Sequence, residues 1–555
     1  MRAQRLAADV LAADPLAWLH DFDRTRLWPP LHAVLASIPL AVSGLDFRTA
    51  ILPSAVGFVL ACGFAFLCGR RASGGRGAAA EASGLVALVF VATSPVHRRY
   101  AGDVMLESLG AGLTLASVFF FLGTVHGVPE RRPAAARWLG LCLTLLLVEK
   151  YNYYLVAVAG LGLAGLQSAG RDGVAALAAL ARRARPRVES ELRHPLVWLG
   201  LALWAGAAAV AITGGGSFEV LERRVSIRNP FNLVHFGYLA LFARAGLAVR
   251  GHFRATLADL PSPWRELALW HAVPLAIWFA LPRRLGYFLH HVSPGNTPPG
   301  AESLGDRLAF YAHALAHDYH GLGGVGAAAT AVLAGVAVVG WRRLRPEARA
   351  CLVFAAVAAL ATALHPNAQS RFAMTWMPVV WVVAATSTAR LARGVPAASA
   401  VAIVALGYGV FSWTHADPPA RRPSVLAMTD AYRPNLEDGP VAVVTDHPAE
   451  ELVEWRYVAT GGTRERLEIY TPRRRDTRAA REAHFREWLS ERAADRLLFL
   501  EVTPASPWHV PGYAIYEELG AFVRGQTLFV PEAEPRPAGP GVTWQMLARS
   551  ESGRP

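Results

Sequence analysis

Long apolar stretches separated by short arginine-rich segments are the feature that most limits what this chain can fold into. About 20 residues of helix cross the hydrocarbon core of a bilayer, and most of these stretches approach that length. The helices of a soluble domain do not need such runs, because they bury only one face. The runs predict membrane helices near residues 50–69, 82–96, 105–125, 138–149, 152–168, 196–214, 232–248, 266–281, 322–340, 349–365, 372–390 and 396–414.

Composition excludes the main alternatives for a chain of 555 residues. Hydrophobic residues make up 53%, charged residues 17%, and the mean hydropathy is +0.28, which excludes a string of soluble domains. The four cysteines all lie inside apolar runs, which excludes a disulfide-stapled secreted scaffold. The net charge of +13 lies between the apolar runs, so no nucleic-acid partner is expected. The sequence therefore predicts an α-helical polytopic membrane protein of about 12 spans.

Arginines in the connecting segments predict the orientation of the spans, because cytoplasmic loops carry an excess of positive charge. The arginines that we assign to the cytoplasm are Arg70, Arg71, Arg76, Arg131, Arg132, Arg137, Arg182, Arg183, Arg185, Arg187, Arg193, Arg250, Arg254, Arg342, Arg343, Arg345, Arg349, Arg390 and Arg393. The segments that this assignment leaves on the external face are 97–104, 215–231, 282–321, 365–371 and the C-terminal region.

Three parts of the chain differ in character. They are an external or interfacial N-terminal segment at 1–48, a multi-span membrane domain at 49–415 and a small soluble α/β domain at 416–555. In the last part, apolar residues 441–444 and 497–500 predict short buried strands, and the charged run 479–496 has helical spacing. We expect this domain to be extracytoplasmic.

The N-terminal segment contains no complete span. Residues 1–28 are too polar, and a proline interrupts the apolar run 31–46. If that run spans the membrane, Asp21 and Asp23 are cytoplasmic. If it is an amphipathic helix in the membrane interface, the two residues are external, yet nothing upstream would carry them across. We therefore expect that a first span precedes Met1.

Asp103 and Glu107 are the first candidate site residues, at the external mouth of a predicted span. Residues four apart on a helix face the same way, so the two carboxylates could bind a divalent metal cation or act as a general base. The alternative is an interfacial ion pair with Arg98 or Arg99, which are themselves candidate ligands of a lipid phosphate.

Lys150 and Arg371 are candidate phosphate-binding residues. Lys150 is the only lysine among 55 basic residues and follows a long apolar run, where an ammonium needs a partner. A lipid phosphate would serve, and Glu149 is the alternative partner. Arg371 opens a late span on the external side, where it could bind a phosphate bidentately or extend to the interface.

Asp21 and Asp23 form a further pair of acids, suited to a metal or a general base if they are external. The alternative is a polar turn before the interfacial helix. A histidine-rich stretch contains His290, His291, His313, His317, Asp318 and His320, and in it His313 and His317 have a spacing that zinc sites use. For that stretch we favour a solvated or interfacial helix.

The order of these segments resembles the polyprenyl-phosphate-sugar-dependent glycosyltransferases of the GT-C fold, of the protein mannosyltransferase and lipid A aminoarabinose transferase type. The resemblance covers about residues 1–415. The matching segments are Trp28-Pro29-Pro30-Leu31-His32, Ser94-Pro95 through Asp103 and Glu107, Glu149-Lys150-Tyr151, and Arg371-Phe372 through Pro378. They are similar to that family's interfacial helix, its external acidic segment, its Thr-Lys-Tyr motif and its late span.

The resemblance implies a multi-pass enzyme of the cell inner (plasma) membrane. It would move a sugar from a polyprenyl-phosphate-linked donor to a glycan, lipid or protein acceptor on the extracytoplasmic face, with an external carboxylate as general base. Asp103 and Glu107 would orient the acceptor or a metal, and Lys150 and Arg371 would neutralise the departing lipid phosphate. The family's catalytic acids lie in the first external loop, which falls before Met1, so that Asp21 and Asp23 would be substitutes.

The sequence leaves two other functions open. A membrane transporter would show paired, discontinuous spans in the two halves of the chain, and the break near Lys150 has no evident counterpart. A non-catalytic membrane scaffold would present the C-terminal domain and would not need Lys150.

Overall fold

The computed structural model describes most of the chain and divides it into two compact units. One unit contains Met1–Asp23, Ala33–Ala50 and Asp417–Pro555, and the other contains Arg24–His32 and Ile51–Ala416. The residues that the structure describes are 2–23, 30–43, 47–213, 216–220, 223–227, 231–281, 284–285, 288, 303–365, 369–391, 394–415, 441–445, 467–470, 477–491, 494–503, 514–539 and 541–550.

Helices dominate the described residues. They are α1 (Arg2–Leu11), α2 (Pro15–Asp23), α3 (Leu31–Val42), α4 (Leu52–Ala72), α5 (Ala78–Thr93), α6 (Pro95–Ala101), α7 (Leu106–His126), α8 (Arg132–Glu149), α9 (Tyr151–Leu192), α10 (Pro195–Thr213), α11 (Phe231–Asp259), α12 (Ser262–Leu267), α13 (Val273–Phe279), α14 (Leu304–His317), α15 (Gly324–Val339), α16 (Pro346–Leu364), α17 (Met377–Leu391), α18 (Val395–His415), α19 (Arg478–Ser490) and α20 (Ala514–Gly525). The short 3₁₀ or π segments are Phe47–Ile51, Pro129–Arg131, Ala268–Ala272, Trp341–Arg343 and Ser370–Thr375.

Five of the described helical stretches are long and apolar enough to cross a membrane. They are Thr49–Ala72, Leu106–His126, Tyr151–Gly170, Pro346–Leu364 and Val395–His415, and a bent pair, Ala78–Thr93 with Pro95–Ala101, makes a sixth. The shorter apolar helices are Leu31–Val42, Pro195–Val210, Gly324–Val339 and Met377–Ala389. These findings support a multi-pass membrane protein, although the described helices do not confirm a count of 12 spans.

Two breaks interrupt the apolar helices near the candidate residues. The stretch expected to be helical over 82–96 ends at Thr93, because Ser94 precedes a proline and is extended (φ −63°, ψ 121°). The chain resumes as α6 at an angle of 64° to α5. Lys150 is also extended (φ −159°, ψ 114°) and separates α8 from α9, as its position between two predicted spans indicated.

Helix α7 is the most enclosed of the five long apolar stretches, and α18 is the least enclosed. Two glycines allow this enclosure. A Cβ on Gly57 of α4 would lie 2.4 Å from the Leu109 Cα, and one on Gly110 would lie 2.4 Å from the Tyr153 Cδ2. Glycine therefore brings α4 and α9 against α7 near Glu107.

The described part of the C-terminal segment is a small α/β arrangement. Its strands are β3 (Val441–Thr445), β4 (Leu467–Ile469), β5 (Arg496–Val502), β6 (Phe529–Pro531), β7 (Arg536–Gly539) and β8 (Val542–Arg549), and a separate hairpin in the other unit pairs β1 (Gly216–Val220) with β2 (Arg223–Ile227). The sheet order is β4-β3-β5-β8-β6, with β7 also on β8. Strands β4, β3 and β5 are parallel, and β8 is antiparallel to β5.

Apolar side chains from the sheet and from both C-terminal helices form the core of that segment. Phe485 and Leu489 of α19 and Phe522 of α20 pack with Leu497 and Phe499 of β5. The two strands expected at 441–444 and 497–500 are present as β3 and β5. The expected helix is shorter than 479–496, since it ends at Ser490 and β5 begins at Arg496.

Candidate functional site

Glu107 lies in the first turn of α7, where a carboxylate interacts favourably with the positive end of the helix dipole. The residue before the helix, Met105, is extended and is fixed by a side chain from α4. The Ser54 hydroxyl donates to the Met105 carbonyl oxygen at 2.9 Å and lies 3.2 Å from the His32 Nε2. His32 and Ser54 are both buried, so this hydrogen-bonded pair holds the start of α7 in place.

The Lys150 ammonium is buried against Glu107. Its Nζ donates to the Glu107 Oε1 at 2.7 Å, and the two side chains are 3% and 2% exposed. The ammonium also lies over the rings of Tyr153 and Phe372, at 4.5 and 5.4 Å from the ring centroids. Aromatic faces stabilise a desolvated cation, so a carboxylate and two rings from three parts of the chain surround the Lys150 ammonium.

Arg371 is the second cation at Glu107. It lies in the 3₁₀ helix Ser370–Thr375, and its Nη1 is 3.4 Å from the same Glu107 Oε1. The Arg371 side chain is 25% exposed, whereas Lys150 is enclosed. Arg371 therefore forms the accessible side of the cluster of Glu107, Lys150 and Arg371, which we call the charge cluster.

The charge cluster has two positive charges against one on Glu107. Both cations approach one carboxylate oxygen, and the other, Oε2, has no hydrogen-bond partner among the described residues. The Arg371 Nε likewise has no partner there. A buried ammonium and an unused guanidinium donor favour a further anion, and phosphate is an anion that both lysine and arginine bind in proteins.

Glu149 does not neutralise Lys150 by a direct hydrogen bond. The side chain of Glu149 is fully buried, and neither carboxyl oxygen has a hydrogen-bond partner among the described residues. The Lys150 ammonium donates instead to Glu107, which belongs to another helix.

Asp103 and Glu107 are not placed on one helix, because α7 begins only at Leu106. Asp103 lies in the preceding non-helical turn and is exposed, whereas Glu107 is buried. The alternative of an ion pair between Glu107 and Arg98 or Arg99 is also not what the structure shows. The Arg98 guanidinium stacks 3.9 Å from the Trp413 ring centroid, and that of Arg99 lies 5.9 Å from the Tyr100 ring centroid.

The remaining predicted residues lie elsewhere. Asp21, in the other compact unit, is buried at 9% exposure and is 3.6 Å from His20; the side chain of Asp23 lies outside the described residues. His290 and His291 also lie outside them. The rings of His313 and His317 do share a helix face, with centroids 4.3 Å apart.

Metal binding gains no support from the surroundings of the predicted ligands. Among the described residues, no group of three or more His, Cys, Asp or Glu side chains could hold a metal ion. The Glu107 Oε1 already accepts from an ammonium and faces a guanidinium. Two adjacent cations suit an anion better than a divalent cation.

Two contributions to the site were missed at the sequence level. Tyr153 lies in the first turn of the helix that follows Lys150, and the Lys150 ammonium is 4.5 Å from its ring centroid. The aromatic residue so close after the lysine was a usable signal. His32 and Ser54 come from different helices, and nothing in the sequence indicates that they meet at Met105.

No protein-family model matches the sequence, and no curated protein matches it. Solved structures do. The crystal structure of ArnT from Cupriavidus metallidurans in the apo state matches with a TM-score of 0.53 and 12% identity, covering 100% of this chain and 94% of that one. The chain has the fold of ArnT.

A second ArnT structure from the same organism, bound to undecaprenyl phosphate, matches with a TM-score of 0.50 and 13% identity over the same shares. ArnT is a lipid A aminoarabinose transferase of the GT-C fold. The match confirms the fold expected from the order of the sequence motifs, and it extends over the whole chain, whereas the resemblance in sequence covered about residues 1–415.

Proposed function

We propose that this chain is an inner-membrane glycosyltransferase that takes a sugar from a polyprenyl-phosphate-linked donor. The observation that carries the proposal is the charge cluster, in which Lys150 and Arg371 both contact one oxygen of Glu107. The fold supports it, because ArnT has the same fold and one of its structures contains undecaprenyl phosphate.

Lys150 and Arg371 would bind the phosphate that links the lipid to the sugar. In the transfer, the bond between the anomeric carbon and the phosphate oxygen breaks, and the electron pair leaves with the phosphate. Negative charge therefore grows on that phosphate, and positioned cations in a water-poor site stabilise it. Glu107 holds the two cations side by side before the lipid arrives.

Asp103 is the candidate general base within the unit that contains the charge cluster. The acceptor hydroxyl oxygen forms the new bond to the anomeric carbon, and its proton passes to a carboxylate. Of the predicted acids in that unit, Glu107 is occupied by two cations, whereas Asp103 is exposed in the turn before α7. The acceptor would be a glycan, lipid or protein on the extracytoplasmic face, the side on which the arginine distribution predicts the C-terminal domain.

Release of undecaprenyl phosphate tests the proposal. The purified protein in liposomes is supplied with undecaprenyl-phosphate-linked pentoses and hexoses and with a membrane extract as the acceptor source. We expect wild type to release undecaprenyl phosphate, Lys150→Met to release at least tenfold less, and Asp103→Asn to lose turnover while keeping donor binding. Arg137→Ala is the matched control, because it removes an arginine from an exposed ion pair with Glu266.

The other functions predict different results. A transporter would move the labelled lipid across the bilayer without releasing its phosphate. A scaffold would show neither activity, and Lys150→Met would leave its phenotype intact. Equal release by wild type and Lys150→Met would remove the charge cluster from the mechanism.

A further inference from the structure

Three tyrosine hydroxyls contact the backbone of residues 369–371. These residues form the start of the 3₁₀ helix that carries Arg371, and we call them the turn 369–371. The Tyr153 hydroxyl donates to the Arg371 carbonyl oxygen at 2.9 Å, and that of Tyr319 donates to the Ser370 carbonyl oxygen at 2.5 Å. The Gln369 backbone N–H donates to the Tyr311 hydroxyl at 3.4 Å. Three consecutive residues are thus held by side chains from outside the turn.

The three tyrosines are buried, with Tyr153 at 2%, Tyr311 at 5% and Tyr319 at 0% exposure. Burial raises the pKa of Tyr311 to about 12 and that of Tyr319 well above its usual range. The Tyr319 hydroxyl therefore keeps its proton and remains a donor. Its ring packs against His97 and Trp381, at centroid distances of 5.9 and 6.2 Å.

These tyrosines come from two parts of the chain that are themselves fixed. Tyr153 belongs to the first turn of α9, directly after Lys150, and packs against Gly110 of α7. Tyr311 belongs to α14, whose start is fixed by a capping box between Ser303 and Asp306. Tyr319 follows two residues after that helix ends.

We propose that Tyr153 and Tyr319 are positioning residues that hold the turn 369–371 so that the Arg371 guanidinium is presented to the lipid phosphate. This inference rests on the proposed function. A guanidinium on a flexible turn would lose conformational entropy when it binds the phosphate. A turn that is already fixed before binding loses less entropy, so the phosphate binds more tightly.

Loss of single hydroxyls tests this role, because phenylalanine keeps the ring. The measurement is equilibrium binding of undecaprenyl phosphate to the detergent-purified full chain. We expect Tyr153→Phe and Tyr319→Phe each to weaken binding about threefold to tenfold, the range that one neutral hydrogen bond provides. Tyr238→Phe is the matched control, because the Tyr238 hydroxyl also donates to a backbone carbonyl, that of Phe279.

A thermodynamic cycle with Arg371→Ala separates positioning from a general effect on folding. If the tyrosines act through Arg371, Tyr153→Phe and Tyr319→Phe have no effect on binding in the Arg371→Ala background. The inference is overturned if the tyrosine variants lose the same affinity in both backgrounds. It is also overturned if the single tyrosine variants bind like wild type while Arg371→Ala binds more weakly. Either result leaves the proposed function standing. Absence of binding by wild type would overturn the proposed function, and the inference with it.

Discussion

Two glutamates, one in each compact unit, are held by basic side chains in different ways. In the C-terminal segment, Arg481 donates from Nε and Nη2 to both oxygens of Glu518 at 2.8 to 2.9 Å. In the other unit, Lys150 and Arg371 contact only the Oε1 of Glu107. The first arrangement is one-to-one and has its acceptors filled, so it stabilises the fold. The second has an extra positive charge, and the Arg371 Nε has no hydrogen-bond partner among the described residues, so it is suited to receive an anion.

Glu107→Gln should produce the largest effect on stability. Two cations would remain adjacent without their counter-charge, and breaking a buried ion pair costs about 3–5 kcal/mol. We expect a large fall in the melting temperature, which is measured by tryptophan fluorescence of the protein in detergent. Added undecaprenyl phosphate should raise the melting temperature of the variant more than that of wild type, because the lipid supplies the missing anion. Unchanged stability would mean that the cluster is not charged as described.

Glu518→Gln makes the same chemical change in the Arg481–Glu518 ion pair. Its side chain is 20% exposed, and the charge-assisted hydrogen bonds lost are worth about 2 kcal/mol. We expect a smaller fall in the melting temperature, which undecaprenyl phosphate does not reverse, and lipid binding equal to that of wild type. If undecaprenyl phosphate restored the melting temperature of this variant, the Arg481–Glu518 pair would not differ from the charge cluster in its response to the lipid.

Glu149→Gln should have the smallest effect. No hydrogen bond to the carboxyl oxygens exists among the described residues, so the amide replaces the acid without breaking one. We expect binding of undecaprenyl phosphate, measured with the purified protein, to stay within about twofold of wild type. Binding more than tenfold tighter would show that Glu149 carries a negative charge beside Lys150, and the cluster would then have no positive excess.

The individual residues of the charge cluster could be predicted from the sequence. Lys150 is the only lysine, Glu107 is an acid at the edge of a span, and Arg371 departs from the orientation rule for basic residues. Their mutual contacts could not be predicted, because the three come from α7, the α8–α9 break and the late 3₁₀ helix. Spacing suggested that Asp103 faces the same way as Glu107, but the helix begins between them.

The fold was predictable to a similar degree. The apolar runs predicted the positions of most helices. The stretch 82–96 was expected to be one continuous helix, but it breaks at Ser94 because Pro95 follows. Strands β3 and β5 were predicted because each contains four consecutive apolar residues, at 441–444 and 497–500. Strand β8 was not predicted, because polar side chains alternate with its buried residues and the strand therefore contains no long apolar run.

Binding of undecaprenyl phosphate, with undecaprenol as the ligand that lacks the phosphate, decides whether the charge cluster is an anion site. Titrations use purified wild type, Lys150→Met, Arg371→Ala and the control Arg137→Ala. We expect wild type and Arg137→Ala to prefer the phosphate lipid, and Lys150→Met and Arg371→Ala to bind it at least about 30-fold more weakly, the loss for a buried charge contact of about 2 kcal/mol or more. Equal binding of the two lipids by wild type, or equal affinity in all four proteins, would contradict the assignment.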